Sequence, residues 1–326
     1  MCRAWLSVFA ASIVVSLASC ASIAYKLTPP VLPADLDAYL AREEAAVPGV
    51  IPGDEKMIAW AGERNTRTPL SLVYLHGWQA SPHDYGAVLS RMARALGANV
   101  YYARFSGFGV TTESVVNVTL NDLANDAWEA VEIGRRIGDR VVVVGSSMGG
   151  DLALWIGAQG VPDVASLVLL SPAVQPLDRR SEMLLWPWPL PILILRAVVG
   201  KYNQMTYNRE LYPTGDPALF ARLNPPRYRS ESTLKLMAVV KLTRTLALEK
   251  MRTPSVWFYC DRDDAVDIPT LKAFYERAGS RAKRLVNVTD AHSHMLAGDM
   301  FSPETTAEVG DAALAFLAEA GVSGPR

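Results

Sequence analysis

The run Val141-Val142-Val143-Val144 leads into Gly145-Ser146-Ser147-Met148-Gly149-Gly150. A serine hydroxyl becomes a useful nucleophile only when a base takes its proton and the backbone presents it to substrate. A G-x-S-x-G between a strand-like and a helix-like segment supplies the presentation: the turn is so sharp that side chains flanking it would strike neighbouring backbone. Ser147 alone has glycine two positions away on both sides, which makes it, rather than Ser146, the candidate nucleophile. The base should be a histidine. The chain has 4 of them, and only His292 and His294 follow Ser147. Carboxylates that could orient such a base gather behind the apolar run 255–259, at Asp261, Asp263, Asp264 and Asp267.

Other chemistries find less support. The 3 cysteines, Cys2, Cys20 and Cys260, form no C-x-x-C or Cys/His cluster, so a zinc site is not expected. Cys260 closes the run 255–259 and reads as a buried thiol. A net charge of −1 gives no electrostatic reason to expect nucleic acid as a partner. Serine acyl transfer needs no metal or organic cofactor, and none is expected.

The N-terminus points to export. No charge lies between Arg3 and Lys26, and the residues there are small and apolar. Leu17-Ala18-Ser19-Cys20 resembles the lipobox of bacterial lipoproteins, which implies cleavage before Cys20 and lipidation of that cysteine. The alternative is an uncleaved anchor, since such an uncharged stretch is long enough to span a bilayer. Both readings attach the chain to a bacterial cell-envelope membrane, facing out of the cytoplasm. Residues 1–26 are therefore assigned to a signal or anchor, and 27–55 to an N-terminal spacer that includes the proline-rich 28–33 and a short helix at 35–46.

The elements that must carry the serine, base and acid alternate. Apolar, β-branched runs predict strands at 70–75, 99–103, 141–144, 164–170, 255–259 and 284–288. Helical patterns fall at 85–96, 120–137, 148–159, 269–278 and 303–320. This order implies an α/β fold with a mostly parallel central sheet and helices on both faces. Residues 56–174 and 251–326 form the core. The alternation breaks over 175–250, a stretch too long for a loop that reads as an inserted, mostly helical lid over the C-terminal sheet edge.

Together, His76-Gly77-Trp78, Gly145–Gly149, Asp263 and His294 resemble the α/β-hydrolase family, with bacterial carboxylesterases, monoacylglycerol lipases and serine aminopeptidase-like hydrolases as the nearest branches. The resemblance runs from about residue 56 to 316 and leaves the lid unmatched. It implies the triad order serine, acid, histidine. Family members carry G-x-x-D-x-x-V behind the corresponding strand. Cys260 to Val266 fits that frame with cysteine in place of glycine, which puts the acid at Asp263. An aspartate five positions beyond the histidine, here Asp299, favours His294 over His292. The oxyanion would be held by the backbone N–H groups of Trp78 and Met148. His76, Gly77, Gly145 and Gly149 would support those loops.

The implied activity is hydrolysis of a small carboxylic ester through a Ser-His-Asp triad and an acyl-enzyme. The apolar lid suggests an acyl chain as part of the substrate. A peptidase or thioesterase on the same triad is the alternative, with Glu182 and Glu210 as carboxylates available to an amine. A lipid-anchored binding protein that retains the fold is a further one.

Overall fold

The computed structural model describes residues 25–110, 113–185 and 190–324. Cys20 and the expected signal or anchor lie outside the described residues, as does 186–189 of the insertion. Among the described residues no helix is long and apolar enough to cross a membrane.

A seven-stranded sheet organises the chain. Its strands are β1 (Met57–Ala59), β2 (Thr68–Leu75), β3 (Asn99–Ala103), β4 (Gly138–Ser146), β5 (Val164–Leu170), β8 (Ser255–Tyr259) and β9 (Lys283–Asn287), in the spatial order β1-β3-β2-β4-β5-β8-β9. Every pairing is parallel except that of β1 with β3. The six predicted strands are all present, three with the expected bounds. Strand β1 was not predicted: three residues are too few to show a period.

Four valines in a row are explained by the sheet's two buried faces. Side chains alternate along a strand. Val141 and Val143 join one apolar cluster and Val142 and Val144 the other, all fully buried. The first cluster is closed by α1 (Leu36–Ala45), α3 (Leu120–Ile137), α4 (Met148–Ala158) and α8 (Ile268–Arg277), and the second by α2 (Gly86–Leu96) and α9 (Thr306–Glu319). Helix α3 starts where predicted because Thr119 and Asp122 form a reciprocal capping box there.

Between β5 and β8 the chain leaves the sheet. The described part of this insertion holds α5 (Leu190–Val198), α6 (Pro217–Leu223), α7 (Ser232–Arg244) and a small antiparallel pair of β6 (Tyr202–Gln204) with β7 (Arg227–Arg229). These two strands, at three residues each, also carry no readable period.

The spacer before α1 is docked rather than free. The amides of Lys26 and Thr28 donate to Asn121 and Asn125 of α3, and the Tyr25 hydroxyl accepts from Trp155 Nε1 at 3.0 Å.

Candidate active site

The C-terminal ends of β2, β4, β8 and β9 deliver the predicted residues to one edge of the sheet. Ser147 sits between β4 and α4 with φ 49° and ψ −116°, a strained conformation for a residue with a side chain. The close approach of α4 to β4 and β2 explains the flanking glycines. A Cβ on Gly149 would lie 2.0 Å from the Leu75 carbonyl oxygen, and one on Gly145 would lie 2.4 Å from that of Gly149. Ser146 is buried against the Tyr85 hydroxyl, whereas Ser147 is only partly buried. The serine with glycine on both sides is thus the one presented.

Behind β8 and β9 the structure joins one acid to one histidine. His294 Nδ1 lies 2.9 Å from Asp263 Oδ2 and 3.1 Å from Oδ1. The amides of Ala265 and Val266 both donate to Asp263 Oδ1 at 2.9 Å, which holds the carboxylate in place. Burial raises the Asp263 carboxyl, but the His294 charge, its hydrogen bond and the two amides outweigh that and leave it below the usual aspartate value. Burial likewise opposes the His294 imidazolium. Asp263, by charge and hydrogen bond, reverses this and holds His294 above the ordinary histidine value.

The other candidates are engaged elsewhere. His292 faces Glu304 at 3.3 Å. Asp261 meets Lys272 and Asn287 near the surface. Asp264 accepts from the Ser293 hydroxyl, and Asp267 caps α8 through the Thr270 amide. Cys260 has no left-handed φ, so the glycine of the family frame is not needed at this turn. Its buried thiol donates to the Ala291 carbonyl.

The loop after β2 lies against the serine: a Cβ on Gly77 would be 3.2 Å from that of Ser147. Among the described residues the backbone N–H groups of Trp78 and Met148 have no protein acceptor. Met148 N–H also opens α4, where the helix dipole favours negative charge. The Trp78 ring packs edge-on against Tyr228 of β7, with centroids 5.1 Å apart. His76 is fully buried. Its Nδ1 donates to the Gly77 carbonyl at 2.7 Å, and its Nε2 accepts the Phe105 amide at 3.0 Å. A carbonyl can only accept, so the tautomer is fixed. Burial pushes His76 down to about 3 and keeps it neutral.

Arg104 braces the neighbouring glycine-rich turn. It makes a buried two-pronged pair with Glu44 and a 3.0 Å bond to the Phe108 carbonyl.

The edge thus brings together Asp263 and His294, and separately Ser147 and Gly77. The Ser147 hydroxyl is not hydrogen-bonded to His294; such contacts are often long until substrate is bound. Two site residues left no sequence signal. The amide of Leu296 donates to the Tyr85 hydroxyl at 3.0 Å, and that of Met295 donates to the Tyr212 hydroxyl at 3.2 Å.

Residues 72–309 match the Alpha/beta hydrolase family. A thermostable monoacylglycerol lipase from Bacillus sp. (strain H-257) is 22% identical over 226 residues, covering 69% of this chain and 82% of the lipase. A solved structure from work on the metagenome-derived lipolytic enzymes LipS and LipT superposes with a TM-score of 0.67 at 19% identity, over 83% of this chain and 99% of that one. The monoglyceride lipase of Saccharomyces cerevisiae, solved as a soluble variant with a substrate analogue, gives a TM-score of 0.62 at 15% identity, over 82% and 91% of the two chains. At such identities the structural likeness is one of fold.

Proposed function

The chain belongs to the alpha/beta hydrolase family, and on that premise we propose that it is a serine hydrolase of carboxylic esters with Ser147 as nucleophile, His294 as base and Asp263 as the orienting acid. The observation that carries this reading is the 2.9 Å contact of His294 Nδ1 with Asp263. It puts the ring's proton on Nδ1 and leaves the Nε2 lone pair to receive one from serine.

In the proposed reaction Ser147 Oγ attacks the ester carbonyl carbon while its proton passes to His294 Nε2. The N–H groups of Trp78 and Met148 hold the resulting oxyanion. The tetrahedral intermediate collapses, and the leaving alkoxide takes the proton from His294. Water, deprotonated by the same nitrogen, then attacks the acyl-enzyme and frees Ser147.

An apolar acyl chain, as in a monoacylglycerol, is the proposed substrate group. The insertion carries a cavity of about 360 Å³ lined by Met183, Leu184, Leu195 and Val198 together with Asp178 and Arg180, and none of Ser147, His294, Trp78 or Met148 lines it. The relatives described as monoacylglycerol lipases support the same substrate class. The carboxylates considered for an amine-binding peptidase give that reading little support. Glu182 is held by Arg244 and Gln175, and Glu210 is solvent-exposed. Attachment to a membrane through residues 1–26, as a lipoprotein modified at Cys20 or through an anchor, stays part of the proposal.

The test is turnover of p-nitrophenyl esters from acetate to palmitate and of monoacylglycerols, alongside aminoacyl p-nitroanilides and acyl thioesters. The reading requires ester turnover that exceeds the others. Faster cleavage of the anilides or thioesters would replace the ester assignment by the corresponding one.

A further inference from the structure

We propose that Tyr212 is a positioning residue that holds His294 in register with Asp263 and ties that register to the arrangement of the insertion; this rests on the assignment of His294 as base. The Tyr212 hydroxyl straddles His294 in the chain. It accepts the Met295 amide at 3.2 Å on one side and meets the Ser293 hydroxyl on the other. Ser293 in turn donates to Asp264, the neighbour of the acid. The charges acting on His294 are those of Asp263 and Asp264, and both also act on the Tyr212 phenol.

Two phenols accept the two amides that follow the histidine. Tyr85, fully buried before α2, takes Leu296 N–H and belongs to the core. Tyr212 belongs to the insertion, nearly buried and 83 residues from Met295 in sequence. Removing either hydroxyl leaves a buried or partly buried amide without its partner, a cost the loop can lower by shifting.

The insertion is anchored to the same loop beyond Tyr212. Tyr207 donates to the Tyr212 carbonyl at 2.7 Å, and the Tyr212 ring meets Phe301 edge-on at 5.0 Å. Phe220 packs against Phe301 as well, and the Asp216 amide donates to the Met300 carbonyl. Residues 207–220 are thus packed against 293–301, and Tyr212 is the link that reaches the residues on either side of His294.

The test compares Tyr212→Phe, which removes only the hydroxyl, with Phe220→Leu, which loosens the packing on Phe301 but leaves the hydrogen bond from the Met295 amide to Tyr212 in place. Ester hydrolysis by the full chain in detergent gives kcat, KM and the pH profile, and NMR follows the His294 titration without substrate. In Tyr212→Phe kcat should fall about tenfold with KM little changed, the value expected from losing one buried hydrogen bond. The His294 titration should move to lower pH as its contact with Asp263 loosens. Phe220→Leu should lower the melting temperature and leave the titration in place. An unmoved His294 titration and an unchanged kcat in Tyr212→Phe would overturn the proposal, as would the same titration shift in both variants. A wild-type chain that turns over no ester counts against the hydrolase reading alone, because the titration still decides the role of Tyr212.

Discussion

Asp263 and His294 are 31 residues apart in the chain and 2.9 Å apart in space. Helix α8 and strand β9 lie between them, and the parallel pairing of β8 with β9 returns the chain to the same sheet edge. No other histidine–aspartate contact exists among the described residues. The pair therefore carries the electrostatic part of the account.

Replacing Asp263 by Asn removes the charge that holds the His294 proton on Nδ1 and stabilises the cation. The expected effect is a fall in kcat of about 10³–10⁴-fold with KM nearly unchanged. Steady-state kinetics on the best p-nitrophenyl ester measures it. A loss smaller than tenfold would remove Asp263 from the proposed triad.

The pH profile has a definite sign. His294 must be neutral to accept a proton, and Asp263 holds it above the ordinary value of 6.5. Activity should therefore rise with pH and reach half its plateau above 6.5 in kcat/KM, which reports the free enzyme. In Asp263→Asn, burial of the imidazolium is opposed only by the more weakly acting Asp264, and the limb should move down. A wild-type limb at or below the ordinary value would contradict the pairing.

Gly149→Ala would put a methyl carbon 2.0 Å from the Leu75 carbonyl, backbone that cannot swing away. The predicted cost exceeds about 3 kcal/mol, visible as a lowered urea midpoint or failure to fold. Gly86→Ala is the contrast: nothing lies within 4 Å of its Cβ position, and the midpoint should hold or rise. Equal midpoints for the two variants would refute the close-approach argument.

Arg104→Met leaves Glu44 buried without its cation and frees the Phe108 carbonyl. The side chains of Arg104 and Glu44 are only 3% and 8% exposed, so solvent cannot compensate. Breaking such a pair costs about 3–5 kcal/mol, again read from the urea midpoint. A change below about 1 kcal/mol would assign the pair a surface-like role.

Much of this was legible because it is local. The G-x-S-x-G, the valine run before it and the helical pattern over 120–137 are all written in neighbouring residues, and they locate Ser147, β4 and α3. Residue type alone narrowed the acid and base to neighbours, and only the family frame pointed to Asp263 and His294. His292 and His294 differ by two positions, and geometry alone separates the one facing Glu304 from the one facing Asp263. Tyr85 and Tyr212 left no trace, since a phenol accepting an amide 211 or 83 residues away has neither motif nor period. Strands β1, β6 and β7 were missed because three residues show no alternation. The spacer prolines indicated an extended segment, but where it docks depends on Asn121 and Asn125 of a helix that the proline pattern does not mention.

The most direct measurement is the site of covalent capture by a fluorophosphonate, which traps an activated serine. Intact mass of the treated chain should show one adduct, peptide mapping should place it on Ser147, and Ser147→Ala should neither label nor hydrolyse esters. An adduct on another residue, or ester turnover by Ser147→Ala at the wild-type rate, would contradict the assignment of Ser147 as the nucleophile.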